Sequence, residues 1–213
     1  MSVQPTTLLL LVLAVFGLLV AEARQSERGL WLTKPLAAAL YFVIALQAGA
    51  MNSTYGLAVL VALFLCWWGD VLLIPKDRPG VFRAGILAFL AGHLAFAVAF
   101  LIRGVSPGAL VIALGLMAIP AVTVHHWLAD KVPAELKPAV VAYIGVISVM
   151  FALAVATHAR EPSLLIVAGA ALFWLSDLFV ARDRFVQPGF VNRLVGLPLY
   201  FGAQVLLALS VQG

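Results

Sequence analysis

The chain alternates between long apolar runs and short polar breaks. A helix needs about 20 residues to cross the hydrocarbon core of a bilayer, with a range of about 17–25. Eight runs come close to or reach that length, and the breaks between them hold nearly all of the charged residues. The second and fifth runs are short, so we expect those helices to be tilted or partly buried. The pattern predicts an all-α bundle of about eight transmembrane helices, at residues 5–21, 35–50, 54–74, 82–102, 107–124, 137–157, 162–181 and 192–211.

The prolines fit this division of the chain. Pro120 and Pro198 fall inside apolar segments, where we expect them to kink helices that neighbouring helices support. Four more of the eleven prolines mark predicted helix starts, where the missing N–H of proline costs little: they are Pro35, Pro107, Pro138 and Pro162.

The composition excludes a soluble protein. Hydrophobic residues make up 64% of the 213 positions and charged residues 10%, whereas a soluble domain has roughly 25% charged and 45–50% apolar residues. The single cysteine, Cys66, rules out an intrachain disulfide. The first segment has no basic region before it and no small-residue cleavage site after it, so we expect a retained helix. We therefore predict a single transmembrane domain over residues 1–213.

The basic residues predict how the bundle is oriented. Eleven of them follow odd-numbered segments, and only Arg103 and Arg160 lie in the opposite breaks. Short cytoplasmic loops carry an excess of Lys and Arg. Both termini should therefore face away from the cytoplasm, in the inner membrane if the protein is bacterial. Because these residues sit in short loops, they do not indicate nucleic acid binding. The eleven are Arg24, Arg28, Lys34, Lys76, Arg78, Arg83, Lys131, Lys137, Arg182, Arg184 and Arg193.

The two halves of the sequence resemble each other. Lys-Pro opens the second and sixth segments, with Tyr41 and Tyr143 about two turns further on. The third and seventh segments end on Trp67-Trp68-Gly69-Asp70 and Trp174-Leu175-Ser176-Asp177, and the charged clusters Lys76-Asp77-Arg78 and Arg182-Asp183-Arg184 follow. Lys-Pro and Trp are also ordinary membrane-edge residues, so the match could arise by chance. The pattern favours a parallel repeat of four plus four helices.

Two aspartates, Asp70 and Asp177, lie inside apolar segments. A carboxylate in a membrane helix costs about 2.5–3.5 kcal/mol even on the lenient insertion scale, and such residues usually face the bundle interior and serve a function. Each lies about four residues from the cytoplasmic end of its segment, roughly 6 Å below that surface. The matched depth predicts a shared site toward the cytoplasmic side. In the alternative, each aspartate reaches the interface or pairs with a loop arginine.

Other polar residues fall at compatible depths. They are His93, Tyr143, Tyr200 and Gln204 inside the segments, and Lys34, Arg83, Asn192 and Arg193 at the cytoplasmic rim. Histidine, tyrosine and glutamine also bond helices to one another, so a structural role stays open for them. Adjacent residues of a helix point in different directions, so His125 and His126 are expected to be interfacial. No metal-binding, serine-elbow or phosphate-loop motif occurs, and we expect neither a metal nor a cofactor.

Three stretches carry a family resemblance. GDVLLI around Asp70, GHLAFAVAF around His93 and LSDLFVARDRF around Asp177 resemble the lysoplasmalogenase (YhhN-like) family of eight-helix membrane proteins. The Lys-Pro-Leu start of the second segment and the Tyr200 and Gln204 pair fit the same pattern, in the right order over nearly the whole chain. The resemblance implies hydrolysis of the vinyl-ether bond of a lysoplasmalogen to a fatty aldehyde and a glycerophospho-head group. It also implies that Asp70 and Asp177 are catalytic.

This chemistry suits the residues. Protonation of the β-carbon of a vinyl ether leaves an oxocarbenium-like cation, to which water adds. The reaction needs one protonated acid and one anion, as in glycosidases. The sequence does not decide between the two aspartates, and we favour Asp177 as the acid and Asp70 as the base. Lys34, Arg83 and Arg193 would hold the substrate phosphate, while His93 or Tyr200 would position the ether oxygen or the water.

A second function remains open at this point. Intramembrane Asp and His residues also form proton relays, and transporters often contain internal repeats. Asp70, Asp177 and His93 could therefore serve a proton-coupled transporter. A carrier site is expected near the bilayer midplane, whereas both aspartates lie toward one face. A purely structural role would leave the two matched carboxylates unexplained. The expected partners are thus the bilayer and a lysophospholipid-type substrate.

Overall fold

Eight long helices account for nearly all of the computed structural model, which describes residues 3–75 and 78–212. Each helix is long and apolar enough to cross a membrane, which confirms the predicted all-α membrane fold. Lys76 and Asp77, used above for the orientation and the repeat, lie outside the described residues. The helices are α1 (Pro5–Ala23), α2 (Glu27–Gln47), α3 (Thr54–Leu72), α4 (Pro79–Arg103), α5 (Pro107–Leu128), α6 (Lys137–Arg160), α7 (Leu164–Ala181) and α8 (Phe190–Leu209).

The predicted start of the second helix, at residue 35, is wrong. α2 begins eight residues earlier at Glu27, and Ser26 caps it by accepting a hydrogen bond from the backbone N–H of Gly29. Pro35 therefore lies inside α2, not at a helix start. Lys34 lies inside the helix too, about 10 Å along its axis from Glu27. The charged residues before residue 35 are typical of a loop. A helix forms there because Ser26 caps its N-terminus and the acidic Glu27 lies in its first turn.

The fifth helix also extends beyond its predicted end at residue 124. α5 continues to Leu128, so neither α2 nor α5 is short. After α7 the chain continues in a π-helical turn, Arg182–Val186, before α8. Pro107 and Pro138 do lie in first turns, and Pro162 lies just before the Ser163 cap of α7.

Consecutive helices pack as hairpins. α1 packs on α2, α3 on α4, α5 on α6 and α7 on α8, and α2–α3 and α6–α7 contacts complete each half. The halves join where α4 meets α6 and α2 meets α8. Close approach requires glycine: a Cβ on Gly92 would lie 2.6 Å from the sulfur of Cys66, and one on Gly69 would lie 2.6 Å from the Phe89 ring. The halves pack alike, but the internal repeat itself stays a prediction.

The bundle has two chemically different ends. We name the site end the one where α1, α3, α5 and α7 finish and α2, α4, α6 and α8 begin, and the far end the opposite one. Of the eleven basic residues counted above, Lys76 is outside the described residues and Lys34 is inside α2, while the other nine lie at the site end. At the far end, Arg103 pairs with Glu161 at 2.7 Å and donates to the carbonyl of Ser210 at 3.0 Å. The charge asymmetry therefore persists in the folded chain.

Candidate active site

A cavity of about 350 Å³ opens at the site end. Its volume lies within the usual range of about 300–1,000 Å³ for small-molecule sites. Side chains from helices α2 to α8 line it, and most of the lining is apolar. The cavity brings together eight of the ten residues singled out from the sequence, whose roles stay predictions: Lys34, Asp70, Arg83, Tyr143, Asp177, Asn192, Arg193 and Tyr200.

Asp70 lies near the end of α3 among donors from three other residues. Tyr200 of α8 donates its hydroxyl to Asp70 Oδ2 at 2.6 Å, and the Tyr41 hydroxyl of α2 lies 3.5 Å from the same oxygen. The ammonium of Lys34 lies 3.4 Å from Oδ1. The last turn of a helix disfavours a negative charge. The cation and the hydroxyls offset that effect, since each of them would stabilise a negative charge on Asp70.

Asp177 of α7 has different neighbours. Tyr143 of α6 donates its hydroxyl to Asp177 Oδ2 at 2.8 Å. Among the described residues no cation lies beside this carboxyl as Lys34 does beside Asp70, since its other close neighbour is the imidazole of His93. The Asp177 side chain is 17% exposed, against 2% for Asp70. A negative charge on Asp177 would thus be less compensated than one on Asp70, and the Asp177 side chain is the more exposed of the two.

His93 lies behind Asp177 and is completely buried. Its Nδ1 lies 2.8 Å from the carbonyl of Phe89, so Nδ1 carries the proton and donates it there. Its Nε2 faces Asp177 Oδ2 at 3.5 Å without forming a hydrogen bond of good geometry. The ring packs on Phe173, with centroids 4.2 Å apart. A neutral His93 therefore presents a lone pair toward Asp177.

Arg83, Asn192 and Arg193 lie at the rim of the cavity. Arg193 is bound to Asp183 at 2.7 Å, and Asn192 accepts from Arg182 at 2.6 Å. Arg83 is exposed at the cavity mouth and has no ion-pair partner in the described part of the chain. The predicted rim position of Lys34 is wrong, because its side chain is buried beside Asp70. α2 starts earlier than predicted, and this places Lys34 within the bundle.

Gln204 lies apart from the cavity. It is fully buried on α8, one turn beyond Tyr200 toward the far end. Neither its amide nitrogen nor its oxygen has a hydrogen-bond partner among the described residues. The structure therefore does not bring Gln204 to the two aspartates.

Tyr41 and Asp183 are part of the site although the sequence analysis did not select them as site residues. Tyr41 contacts Asp70, and Asp183 holds Arg193 in place. The sequence did contain a signal for Tyr41, because it matches Tyr143 in the two halves and each tyrosine reaches the aspartate of its own half. Asp183 gave no such signal, since a charge in a polar break is usually just solvated.

The fold and the cavity define a class: a multi-pass membrane protein in which Asp70 and Asp177, from two different transmembrane helices, line one cavity. Residues 29–211 match the YhhN family. The chain belongs to the YhhN family, as the sequence motifs suggested. The matched region begins near the start of α2 and includes every residue of the cavity described above.

Curated relatives from mammals agree with this assignment. The chain is 33% identical over 172 residues to lysoplasmalogenase TMEM86B of Sus scrofa, covering 81% of this chain and 71% of that protein. It is 32% and 30% identical over 158 residues to lysoplasmalogenase TMEM86A of Bos taurus and of Homo sapiens. These two matches cover 71% of this chain and 64% of each relative. No solved structure matches the chain.

Proposed function

We propose that this protein is a membrane hydrolase that cleaves the vinyl-ether bond of a lysoplasmalogen. The relatives named lysoplasmalogenase support the reaction, and the cavity supports the chemistry. The observation that carries the proposal is the contrast between two carboxyls of one cavity. Asp70 lies against an ammonium and a tyrosine hydroxyl, whereas Asp177 faces a neutral imidazole. One carboxylate and one carboxylic acid are the pair that this hydrolysis requires.

In this proposal Asp177 is the acid. Its proton goes to the β-carbon of the vinyl ether, which gives an oxocarbenium ion at the carbon bound to oxygen. The lone pair of His93 Nε2 helps to keep the carboxylic acid in place before transfer, since that nitrogen can accept but not donate. Tyr143 fixes the orientation of the carboxyl through its 2.8 Å hydrogen bond.

Asp70 is the base. It takes a proton from the water that adds to the oxocarbenium ion, giving a hemiacetal. Asp70 then returns that proton to the glycerol oxygen as the C–O bond breaks, and the hemiacetal hydroxyl passes its proton to Asp177. The products are a fatty aldehyde and a glycerophospho-alcohol, one water is consumed, and both carboxyls return to their starting states.

The position of the cavity suits an amphiphilic substrate. Arg83 lies at the mouth, where it can bind a phosphate, and Arg193, which also lines the cavity, is paired with Asp183. The apolar lining further inside can hold a hydrocarbon chain. We propose that the site end faces the cytoplasm, because nine basic residues lie there. No observation favours the alternative of a proton-coupled transporter.

The decisive experiment is an assay of purified protein for aldehyde release from a lysoplasmalogen. The reaction should be run in D2O and the aldehyde trapped at once by reduction. Protonation of the β-carbon predicts one deuterium on the carbon next to the former aldehyde. A saturated alkyl-ether analogue should not react, because it has no C=C bond whose β-carbon could accept a proton. Absence of aldehyde from every vinyl-ether lipid tested would reject the proposed reaction.

A further inference from the structure

α5 is the least embedded helix of the bundle. Among its described residues only Ala113 and Leu128 are buried. It packs extensively along α6 alone, whereas α1, in the corresponding place of the other half, packs on both α2 and α8. The counterpart of the α1–α8 contact would be a contact between α5 and α4. The described residues make no comparable contact there, so a groove separates α4 from α5.

The groove is continuous with the site cavity. Leu87 on α4 and Val124 and Leu128 on α5 line the same cavity as the two aspartates. Leu87 is also 59% exposed. A side chain that lines the cavity and is still exposed to this degree marks an opening. The opening lies within transmembrane helices and therefore faces lipid.

The groove is closed toward the far end of the bundle. The Ser106 backbone N–H before α5 donates to the carbonyl of Ala156 on α6, and Thr157 donates to the carbonyl of Phe100 on α4. These bonds join the three helices toward the far end. Pro120 separates that fixed part of α5 from the part that lines the cavity, because a proline removes one backbone hydrogen bond. The opening is therefore confined to the half of the bundle that contains the carboxyls.

We propose that the groove between α4 and α5 is a lateral portal and binding site for the single hydrocarbon chain of the substrate lipid. This inference rests on the proposed function for the identity of the substrate. The walls are apolar, since Val140 and Ile144 of α6 line the cavity together with Leu87 and Val124. A chain lying there keeps its tail in the bilayer while its vinyl ether reaches the aspartates and its phosphate reaches Arg83.

A bulky residue in the portal should discriminate against long chains. Leu87→Trp should raise KM for a long-chain lysoplasmalogen by about tenfold or more, because pocket contacts of this size discriminate to that degree. Cleavage of a water-soluble alkenyl analogue with a short chain should be reduced much less, because that chain does not extend into the groove. Leu101→Trp is the matched control: Leu101 is 52% exposed on the same helix, about 21 Å nearer the far end, and does not line the cavity. Val124→Trp tests the opposite wall.

A binding measurement separates this inference from the proposed reaction. An ester-linked lysophosphatidylcholine with a diazirine a few carbons along the chain from the ester is not a vinyl ether, so labelling does not need hydrolysis. Labelling should fall on the peptides that contain Leu87 and Val124, and Leu87→Trp should suppress it. If labelling occurs there but no vinyl ether is cleaved, the portal is supported and the proposed reaction is rejected. If vinyl ethers are cleaved while Leu87→Trp and Leu101→Trp behave alike, or labelling falls on other helices, the portal is overturned.

Discussion

Tyr200 donates its hydroxyl to Asp70 Oδ2 at 2.6 Å across 130 positions of sequence. A buried carboxylate at the end of a helix needs such a donor. The contact therefore makes a residue of α8 part of the site around Asp70 on α3. Tyr200→Phe removes only the hydroxyl. A hydrogen bond to a charged group contributes about 1.5–3 kcal/mol, so kcat/KM for aldehyde release should fall roughly 10- to 150-fold.

Tyr55 supplies the matched control for this change. Its hydroxyl forms an equally short bond of 2.6 Å, with Ser210 at the far end. Tyr55→Phe should lower the thermal midpoint slightly and leave the activity of the folded protein unchanged. Equal activities of the two variants would contradict a role for Tyr200 at the site.

Both aspartates should be needed for hydrolysis. Asp70→Asn and Asp177→Asn remove the proposed base and acid while keeping the shape of the side chain. General acid–base catalysis contributes typically about 10²–10⁴-fold, and each variant should lose aldehyde release by at least that factor. Asp130→Asn, an exposed change outside the cavity, should have no effect. Near-normal activity of either cavity variant would remove that residue from the mechanism.

Lys34 and Asp70 should behave as a pair. Lys34→Met leaves the carboxylate of Asp70 in the bundle interior without its cation, and breaking a buried pair costs about 3–5 kcal/mol. The thermal midpoint of Lys34→Met should therefore fall. Adding Asp70→Asn removes the stranded charge and should restore much of that midpoint without restoring hydrolysis. A double variant as unstable as the sum of its two single changes would mean that the residues are not coupled.

Arg83 should act in substrate binding and not in the chemical step. Arg83→Gln removes the exposed cation at the cavity mouth and should raise KM for a phosphate-bearing lysoplasmalogen, with kcat nearly unchanged. Arg160→Gln, at the far end of α6, should change neither parameter. The same fall in kcat and in kcat/KM for Arg83→Gln would instead assign it to the transition state.

The orientation can be tested with thiol labelling, because the single cysteine Cys66 is buried. Asp130→Cys places a thiol at the site end and Glu161→Cys places one at the far end. In intact cells, a membrane-impermeant maleimide should label Glu161→Cys only, and both should react after the cells are broken. Labelling of Asp130→Cys in intact cells would reverse the predicted topology.

The pattern of apolar residues along the chain was sufficient to predict most of the helices. Each helix must satisfy its own backbone hydrogen bonds in lipid, so a run of apolar residues is enough to indicate one. Residues 27–34 were the exception, because α2 begins among Glu27, Arg28 and Lys34. Hydropathy cannot distinguish a charged helical turn from a loop. The consequence was functional, since Lys34 was placed at the rim and lies beside Asp70.

By itself, the sequence determined that the chain is a membrane bundle, that Asp70 and Asp177 lie at similar depth, and that most of the basic residues belong to one end. Those properties depend on composition and on position along single helices. Only the tertiary structure decided that Lys34 and Tyr200 contact Asp70, that His93 faces Asp177, and that Gln204 stays outside the cavity. These contacts join different helices. Which faces meet depends on how the whole bundle packs, and the hydropathy of one segment does not contain that information.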